Sequence, residues 1–549
     1  MKLSGAEILI RCLKEQGIDT VFGYPGGCVL DIYDAIYRDG TLRHILTAHE
    51  QGAAHAADGY ARATGKTGVC IATSGPGATN LVTGIATAYM DSVPLVAITG
   101  NVTVANLGRD SFQEVDIAGI TMPVTKHNYI VKDIKNLAAT IREAFYIAGA
   151  GRKGPVLIDI PKNIQTETCE FEEAAPAPYS PKPVAAEALS AAVEAIKNAK
   201  RPVILAGGGC IGSDAAENLF AFAKKIQAPV CSTLMGLGAY PASDAQFLGL
   251  IGMHGSDASA KVFRRADAVI ACGMRFSDRV TGDRIKFHEG KTIVQFDIDA
   301  AEIDKNVPAD LAVMADVNEI LKALLPLLGQ ADRKEWLKEA AAYKEYDEAN
   351  LDKELPAYKI LTALQGYTDA DTRVATDVGQ HQMWAAQYCK FEKPRTFISS
   401  GGLGTMGFGM GAAIGACVGS KRRTVLVTGD GSFHMNLNEL CTAVSQKLPL
   451  VILLMDNNTL GMVRQWQTLF YGKRYSQTTL DRKTDYVKLA EAFGAKGLTI
   501  AGEADIAPAL AEAFSCEGPV LVDCKIGIDD KVLPMIPPGK SFDSIITKI

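Results

Sequence analysis

Residues 424–463 read TVLVTGDGSFHMNLNELCTAVSQKLPLVILLMDNNTLGMV and carry the pattern that decides the fold. A short apolar run at 425–427 is β-branched in part, and a longer apolar run fills 450–455. The segment between them, 438–446, has helical character and is followed by Pro449. Strand, helix and strand in this order predict a βαβ unit, in which both strands run parallel in one sheet.

Each of the two predicted strands ends in a polar loop, Gly429-Asp430-Gly431 in the first case and Asp456-Asn457-Asn458 in the second. Parallel strands end at the same edge of a sheet, so we expect Asp430 and Asn457 to meet where open α/β sheets bind ligands. Carboxylate and amide oxygens suit Mg²⁺, while glycines and a helix start suit a diphosphate. The stretch therefore predicts a diphosphate–Mg²⁺ site. The alternative is that the two side chains only cap helices and turns.

The composition is that of an ordinary globular protein. The 549 residues are enough for about three domains, and 48% of them are hydrophobic against 21% charged. A net charge of −6, with no basic run longer than Lys421-Arg422-Arg423, argues against a nucleic-acid partner. The 12 cysteines form no CxxC pair, which predicts reduced thiols and a cytoplasmic location. The apolar runs have strand length, so no membrane span is predicted.

Strands and helices alternate along the whole chain, which predicts an α/β protein of three doubly wound parallel-sheet domains. We place the domains at residues 1–170, 184–340 and 355–549. A segment rich in Ala, Pro and acidic residues at 170–183 reads as the first linker, and charged helical sequence at 333–354 leads into the third domain.

Two stretches match the G-x-G-x-x-G pattern of dinucleotide-binding folds, at 207–212 and at 402–407. Asp430 follows the second stretch after one further strand and imitates the acid that binds a ribose. A nicotinamide-dependent oxidoreductase is therefore a competing interpretation. It leaves Asn457 and the Glu50 segment without a role.

Glu50 follows a predicted strand and opens a helix crowded with Ala and Gly. If that helix packs closely, the carboxylate is poorly solvated and its pKa rises. A carboxyl group in such a setting is a candidate for proton transfer. The alternative is a surface or helix-capping glutamate.

Several stretches carry a family resemblance over nearly the whole chain. They are GYPGG (23–27), HEQGAAHAADGYAR (49–62), TSGPGATN (73–80), SFQE (111–114), GPVLIDIPK (154–162), GMRF (273–276), DRVTG (278–282), SGGLGTMGFG (400–409), GDGSF (429–433), DNNTLGMVRQWQ (456–467) and VLPMIPPG (532–539). The sequence resembles the catalytic, large subunit of acetolactate synthase, also called acetohydroxyacid synthase, with a pyruvate-oxidase/decarboxylase-like architecture. Asn457 lies 27 residues after Asp430, which is similar to the metal–diphosphate motif of thiamine enzymes.

The resemblance implies roles for particular residues. Glu50 would activate the pyrimidine, and the Gly27 N–H would stabilise negative charge on the substrate oxygen. Met406 would support the bend of the cofactor, although most Met residues simply fill gaps in a core. Trp466 would line an apolar pocket for the extra methyl group of 2-oxobutyrate. Phe112 and Gln113 would reach into the substrate pocket.

The resemblance also implies three cofactors. Mg²⁺ would be bound by Asp430, Asn457 and the Thr459 carbonyl. The residues expected to contact thiamine diphosphate are Pro25, Glu50, Thr73, Asn80, Val378, Gly379, Gln380, His381, Gly404, Met406, Gly429, Asp430, Gly431, Ser432, Asn457, Gly461 and Met462. The residues expected to contact FAD, which takes no net redox part in the family's main reaction, are Arg152, Gly207, Gly208, Gly209, Thr233, Leu234, His254, Gly273, Arg275, Arg279, Asp297 and Asp316. A catabolic relative with the same fold has no flavin.

The implied activity is acetolactate synthesis for branched-chain amino acids. Pyruvate would lose CO₂, and its two-carbon unit would join a second pyruvate or 2-oxobutyrate. The implied partners are a second copy of the chain, in a dimer with active sites at the interface or in a tetramer, and a small regulatory subunit. The alternatives are the catabolic acetolactate synthase and another thiamine-dependent carboligase or pyruvate oxidase.

Overall fold

The computed structural model describes residues 1–548 as three parallel six-stranded sheets with helices packed on them. A fourth sheet of two antiparallel strands pairs residues near the N-terminus with residues 168–170. The predicted α/β class with three doubly wound sheets is confirmed. The boundaries between the domains stay predictions, and each six-stranded sheet lies inside one predicted domain.

The first sheet has the strand order β3-β2-β4-β5-β7-β6. The strands of this part of the chain are β1 (Lys2–Ser4), β2 (Thr20–Gly23), β3 (Arg43–Leu46), β4 (Gly68–Ala72), β5 (Leu95–Asn101), β6 (His127–Ile130), β7 (Pro155–Pro161) and β8 (Thr168–Glu170). Its helices are α1 (Gly5–Glu15), α2 (Leu30–Asp39), α3 (Glu50–Thr64), α4 (Pro76–Asn80), α5 (Val82–Asp91), α6 (Ile117–Thr121), α7 (Leu137–Gly149) and α8 (Lys162–Thr166).

The second sheet has the order β11-β10-β9-β12-β13-β14. Its strands are β9 (Pro202–Ala206), β10 (Val230–Ser232), β11 (Phe247–Leu250), β12 (Ala268–Cys272), β13 (Thr292–Asp297) and β14 (Leu311–Met314). The helices here are α9 (Ala186–Asn198), α10 (Gly208–Gly212), α11 (Ala216–Ile226), α12 (Asp257–Arg265), α13 (Asp278–Thr281), α14 (Arg284–His288), α15 (Val317–Leu324) and α16 (Lys334–Ala349).

The third sheet has the order β16-β15-β17-β18-β20-β19. Its strands are β15 (Arg373–Thr376), β16 (Phe397–Ile398), β17 (Thr424–Gly429), β18 (Leu450–Asp456), β19 (Lys496–Ile500) and β20 (Val520–Lys525). Its helices are α17 (Pro356–Leu364), α18 (Gln380–Tyr388), α19 (Phe408–Ser420), α20 (Asp430–Asn436), α21 (Leu440–Ser445), α22 (Gly461–Phe470), α23 (Tyr486–Phe493) and α24 (Glu503–Ser515).

The predicted βαβ unit lies at the centre of this third sheet. β17 and β18 pair in parallel from Thr424↔Leu450 to Gly429↔Met455, and both are buried along their length. The helical segment begins earlier than expected. α20 starts at Asp430, directly after the strand, and a 3₁₀ turn (Leu437–Glu439) joins it to α21. The apolar periodicity reveals only the later helix, because the first turn of α20 is made of small and polar residues.

Helix α19 packs against α3 and joins the first and third sheets. A Cβ on Gly415 would lie 1.8 Å from the Ala56 carbonyl oxygen, and one on Gly59 would lie 2.1 Å from that of Ala412. The two backbones approach so closely that only glycine fits at these positions. The Gly402–Gly407 stretch suggested a dinucleotide-binding turn. The small residues that follow it instead allow α19 to pack closely against α3.

A buried ion cluster reinforces this junction. The Arg62 guanidinium pairs with Asp58 and, at 2.9 Å, with Asp91, and both carboxylate side chains are fully buried. Arg62 also donates to the Ser399 carbonyl oxygen at 2.8 Å, and Asp91 accepts from the Gly402 N–H at 2.7 Å. The cluster thus connects α3 and α5 to the loop that leads into α19.

Replacing Arg62 by methionine is expected to lower the free energy of unfolding by about 3–5 kcal/mol, because two buried carboxylates lose their only cation in the cluster. Urea unfolding followed by circular dichroism measures the effect. The control is Lys488→Ala, which removes an exposed ion pair with Asp485 and should cost less than about 1 kcal/mol. Equal effects of the two changes would contradict a stabilising role for the cluster.

In residues 1–548, no helix combines the length and the apolar character that crossing a membrane requires. All 12 cysteines are free thiols, and seven of them are fully buried.

Candidate active site

A small cavity of about 60 Å³ opens at the carboxyl edge of β17 and β18. Its lining residues all fall between residues 378 and 526, so they come from the third domain alone. They include these members of the predicted thiamine diphosphate set: Val378, Gly379, Gln380, His381, Met406, Gly429, Asp430, Gly431, Ser432, Asn457, Gly461 and Met462, together with Thr459. Gly404 lines a different cavity. The predicted convergence of the loops after the two strands is present in the structure.

Asp430 is the one carboxylate among the predicted metal ligands. Its side chain is buried, and its Oδ1 accepts from the Gly431 N–H at 2.9 Å. Burial raises its pKa, and the neighbouring Asp456 carboxylate raises it further. Asp456 is in turn paired with the Lys525 ammonium at 2.5 Å. A divalent cation at Asp430 would relieve the repulsion between the two carboxylates.

Asn457 and Thr459 complete the predicted ligand set. The Asn457 Oδ1 accepts from the Thr459 N–H at 3.2 Å, and its Nδ2 lies 3.4 Å from the Gln380 Oε1. The set has one carboxylate, one amide and one backbone carbonyl, which suits Mg²⁺ because this ion keeps several ligands from water and phosphate. Among residues 1–548, no cluster of three His, Cys, Asp or Glu side chains is placed to hold a metal, and the predicted set does not require one.

The cavity also fits a diphosphate group. Helices α18, α20 and α22 all begin at this cavity, at Gln380, Asp430 and Gly461, and direct N–H groups and the positive ends of their dipoles toward it. The His381 imidazole is buried, and its Nε2 has no hydrogen-bond partner among residues 1–548. Burial lowers the pKa of His381 to about 3, so the ring is neutral at pH 7. A buried nitrogen of this kind is available to hydrogen-bond a polar ligand or a water molecule.

Gln465 is fully buried next to the cavity residue Gln380. The sequence pattern alone gives this glutamine no role. Its Oε1 accepts from the Gln380 Nε2 at 3.0 Å and from the Val532 N–H at 2.9 Å, and its Nε2 donates to the Val532 carbonyl oxygen at 3.0 Å. Gln465 thereby fixes α22 to the C-terminal segment. Only its position inside the Arg-Gln-Trp-Gln stretch could have drawn attention to it.

Trp466, the next residue on α22, is half-buried, and its Nε1 has no hydrogen-bond partner in the described range 1–548. The Arg279 guanidinium lies 5.7 Å from the centre of the Trp466 ring. The Phe470 ring packs edge-on with the indole, with the two ring centres 6.0 Å apart. Arg279 belongs to the predicted FAD set and lines the cavity of about 530 Å³ at the second sheet. The indole therefore lies where the two predicted cofactor sites approach each other.

The second half of the predicted site is in the first domain. Glu50 is the first residue of α3 and is half-buried, and its Oε2 accepts from the Asn80 Nδ2 at 3.0 Å. A Cβ on Gly77 would lie 3.2 Å from the Glu50 Oε1 and 2.7 Å from the Thr73 side chain. Glu50, Thr73 and Asn80 thus lie close together. The carboxylate remains partly accessible to solvent because the packed part of α3 begins only at Gly52.

The Gly27 loop lies beside this group. The Cys28 N–H donates to the Thr73 Oγ1 at 3.3 Å, and the Lys162 Nζ donates to the Gly27 carbonyl oxygen at 2.8 Å. Pro25 and Gly27 are exposed. Phe112 has 87% of its surface exposed, an unusual state for a large apolar side chain, and Gln113 packs its backbone against Gly75. None of these first-domain residues lines the cavity at Asp430, so one chain holds two separate half-sites.

A larger cavity of about 530 Å³ opens at the edge of the second sheet. Of the predicted FAD residues, all but Gly207 line it: Arg152, Gly208, Gly209, Thr233, Leu234, His254, Gly273, Arg275, Arg279, Asp297 and Asp316. Gly207 supports the turn, because its N–H donates to the Cys272 carbonyl oxygen at 2.9 Å. Burial raises the pKa of Asp297 to about 6, and Arg152 pairs with Glu302 at 2.7 Å.

Comparison with known proteins agrees with this arrangement. Three family descriptions match the chain in order: the N-terminal TPP binding domain of thiamine pyrophosphate enzymes over residues 3–120, their central domain over 189–324 and their C-terminal TPP binding domain over 377–524. The acetolactate synthase isozyme 2 large subunit of Escherichia coli is 44% identical over 551 residues, which cover 100% of both chains. The acetolactate synthase large subunit of Haemophilus influenzae is 42% identical (99% of this chain, 98% of that protein), and that of Corynebacterium glutamicum is 44% identical (99% and 90%).

Proposed function

This chain belongs to the acetolactate synthase large subunits of the thiamine pyrophosphate enzyme family, and from that premise we propose how its residues carry out the reaction. It is an acetolactate synthase that takes the two-carbon unit of pyruvate and joins it to a second 2-oxo acid, either pyruvate or 2-oxobutyrate. The observation that carries the proposal is the pair of complementary half-sites around Asp430 and Glu50.

Thiamine diphosphate, when bound, supplies the electron sink that lets a 2-oxo acid lose CO₂ and lets the remaining two carbons attack another carbonyl group. The protein supplies position and proton transfer. Glu50 would exchange a proton with the pyrimidine ring, and Asn80 would orient its carboxylate through the 3.0 Å hydrogen bond. The Gly27 N–H would donate to the oxygen on which negative charge develops. Met406 would fill the bend of the cofactor from the wall of the Asp430 cavity.

Asp430, Asn457 and the Thr459 carbonyl oxygen would hold Mg²⁺, whose charge would offset that of the diphosphate. The neutral His381 would donate to the diphosphate through its Nε2, which has no partner among the described residues 1–548. The N-termini of α18, α20 and α22 would contribute backbone N–H groups. The buried Asp430 carboxylate and the buried His381 imidazole in the wall of this cavity support the assignment.

A homodimer would bring Glu50 of one subunit to the Asp430 cavity of the other. Two observations support this proposal. Each half-site is incomplete in the single chain, and both the first and the third domain expose large apolar side chains, namely Leu46, Tyr89, Phe112, Met122, Leu403 and Met435. In the dimer, Phe112 and Gln113 would reach the partner's substrate pocket. Sedimentation of the purified protein with and without thiamine diphosphate tests the assembly, and a monomer that is fully active would reject it.

The cavity of the second domain would hold FAD. Its volume and its Gly208-Gly209 turn suit a dinucleotide, and Asp297 at the end of β13 suits an adenosine hydroxyl group. The absorption spectrum of the purified protein tests the assignment. A flavin band that is released on denaturation supports it, and a colourless protein that forms acetolactate without added FAD rejects it.

The selectivity for the second substrate would reside in Trp466. Replacing Trp466 by leucine is expected to lower the ratio of acetohydroxybutyrate to acetolactate about tenfold or more, because one methylene in an apolar pocket is worth about 1–3 kcal/mol. The ratio is measured with equal pyruvate and 2-oxobutyrate. Phe470→Leu is the control, because this ring packs edge-on with the indole but is itself 40% exposed, and its replacement should change the ratio far less. An unchanged ratio of acetohydroxybutyrate to acetolactate in the Trp466 variant would show that other residues determine the selectivity.

The proposed reaction is tested by product analysis with pyruvate, thiamine diphosphate, Mg²⁺ and FAD, alone and with equal 2-oxobutyrate. Excess acetohydroxybutyrate in the mixture supports the biosynthetic enzyme. Acetolactate alone favours the catabolic relative, and acetaldehyde or an acetyl product rejects the carboligase. A small regulatory subunit is the remaining proposed partner, and co-purification together with a valine titration tests for it.

A further inference from the structure

Glu439 is a buried carboxylate with no role in the proposed reaction. It lies on the 3₁₀ turn Leu437–Glu439 of the third domain and has no exposed surface. Its partners in the first domain are two consecutive backbone N–H groups just before α3. The Ala48 N–H donates to its Oε1 at 3.1 Å, and the His49 N–H donates to the same oxygen at 3.0 Å. The Thr442 hydroxyl donates to its Oε2 at 2.7 Å.

The first domain is shaped to receive this carboxylate. A Cβ on Gly52 would lie 2.0 Å from the Glu439 Oε1, so only glycine leaves room for it at this position. The carboxylate also lies at the N-terminus of α3, where the helix dipole and the unpaired N–H groups favour a negative charge. A buried charge is costly unless its hydrogen bonds are made, and here the segment next to Glu50 makes them.

We propose that Glu439 is a positioning residue that fixes the backbone of residues 48–50 and thereby sets the place of the Glu50 carboxylate. The proposal rests on the proposed function, in which Glu50 transfers a proton. Two observations support it. Glu439 and His49 are 390 residues apart in sequence, so the contact joins two domains. In the described part of the chain, no other side chain of the third domain hydrogen-bonds the N–H groups of residues 48–50.

The segment that carries Glu439 begins at Asp430. α20 starts with this predicted metal ligand and continues directly into the turn that ends at Glu439. In the proposed dimer, Asp430 serves the active site of its own chain and Glu50 serves that of the partner. The Asp430–Glu439 segment therefore links the diphosphate end of one active site to the proton-transferring carboxylate of the other.

Three variants of the full-length enzyme test the proposal. Glu439→Ala removes both acceptors, and Glu439→Gln keeps one amide oxygen that can accept from Ala48 and His49. Glu491→Ala is the matched control, because Glu491 is an exposed glutamate of the same domain. Hydrogen exchange is followed by mass spectrometry on peptides that cover residues 45–52, without cofactor, and kcat and KM for pyruvate are measured with all cofactors present.

In Glu439→Ala, the amides of residues 48–50 are expected to exchange about tenfold faster or more, because two hydrogen bonds to a charged group are lost. The kcat is expected to fall about 10- to 100-fold, the range for a misplacement of about 1 Å, with KM nearly unchanged. Glu439→Gln should restore most of both values, and Glu491→Ala should match the wild type.

Unchanged exchange at residues 48–50 in Glu439→Ala would overturn the proposal, and so would faster exchange with an unchanged kcat, which would leave Glu439 a purely structural role. A loss of kcat in Glu439→Gln as large as that in Glu439→Ala, despite normal exchange, would also overturn it. A wild-type enzyme that forms no acetolactate rejects the proposed function alone, because the exchange experiment needs neither cofactor nor substrate.

Discussion

Replacing Glu50 by glutamine is expected to lower kcat about 100- to 10,000-fold, which is the range that positioned proton transfer contributes to catalysis. Glutamine keeps the shape of the side chain and an oxygen that can accept from the Asn80 Nδ2, as Glu50 does at 3.0 Å. The variant therefore removes the acidic proton while it leaves the local hydrogen bond in place. The measurement is the initial rate of acetolactate formation at saturating pyruvate.

The affinity for thiamine diphosphate should change much less than kcat in this variant. The diphosphate and the metal are expected to bind at the Asp430 cavity, whose lining comes from the third domain and does not include Glu50. A fluorescence titration with thiamine diphosphate and Mg²⁺ separates binding from catalysis. The control is Glu187→Gln, an exposed glutamate in the first turn of α9. A Glu50→Gln enzyme with wild-type kcat would exclude Glu50 as the proton-transferring group.

The parts of the site that lie at strand ends could be predicted from the sequence. An apolar β-branched run marks a strand, and the loop after it must lie at the carboxyl edge of a parallel sheet. This reasoning placed Asp430 and Asn457 together, and both line the same cavity in the structure. The start of α20 was placed too late, because helix starts made of small polar residues carry no apolar periodicity.

Contacts between domains could not be predicted, because nothing local in the sequence encodes them. Arg62 has the sequence environment of an ordinary helical arginine, yet it is buried and bonded to Ser399, 337 residues away. Glu439 and Gln465 are similar cases, since a lone Glu or Gln on a helix is usually solvent-exposed. Their roles depend on which helix faces pack against each other, and the tertiary structure determines this packing.

The extent to which Glu50 is buried also depends on tertiary packing and could not be predicted from the sequence. The Ala and Gly residues of α3 correctly indicated close helix packing, which begins at Gly52 and continues against α19. Glu50 lies just before the packed part and is half-buried in the single chain.

Replacing Asp430 by asparagine is expected to have opposite effects on the protein with and without cofactor. In the absence of metal, the buried Asp430 carboxylate lies next to Asp456, and both burial and this neighbour raise its pKa. Asparagine removes that repulsion, so the cofactor-free variant should unfold at the same temperature as the wild type or higher. With cofactor the order should reverse, because a ligand at 100 times its Kd stabilises the folded state by about 2.7 kcal/mol and the variant should lose this gain.

Thermal unfolding with and without thiamine diphosphate and Mg²⁺ measures both effects, and a titration with EDTA on the wild type should reproduce the loss seen in the variant. Asp332→Asn, at a position that is 80% exposed, is the control and should show the wild-type response to cofactor. The sign of the change distinguishes the two interpretations of this residue. A helix-capping aspartate would lose stability in both states when it is replaced, whereas a metal ligand loses it only when the metal is present. A variant that is destabilised equally with and without cofactor would therefore remove Asp430 from the metal site.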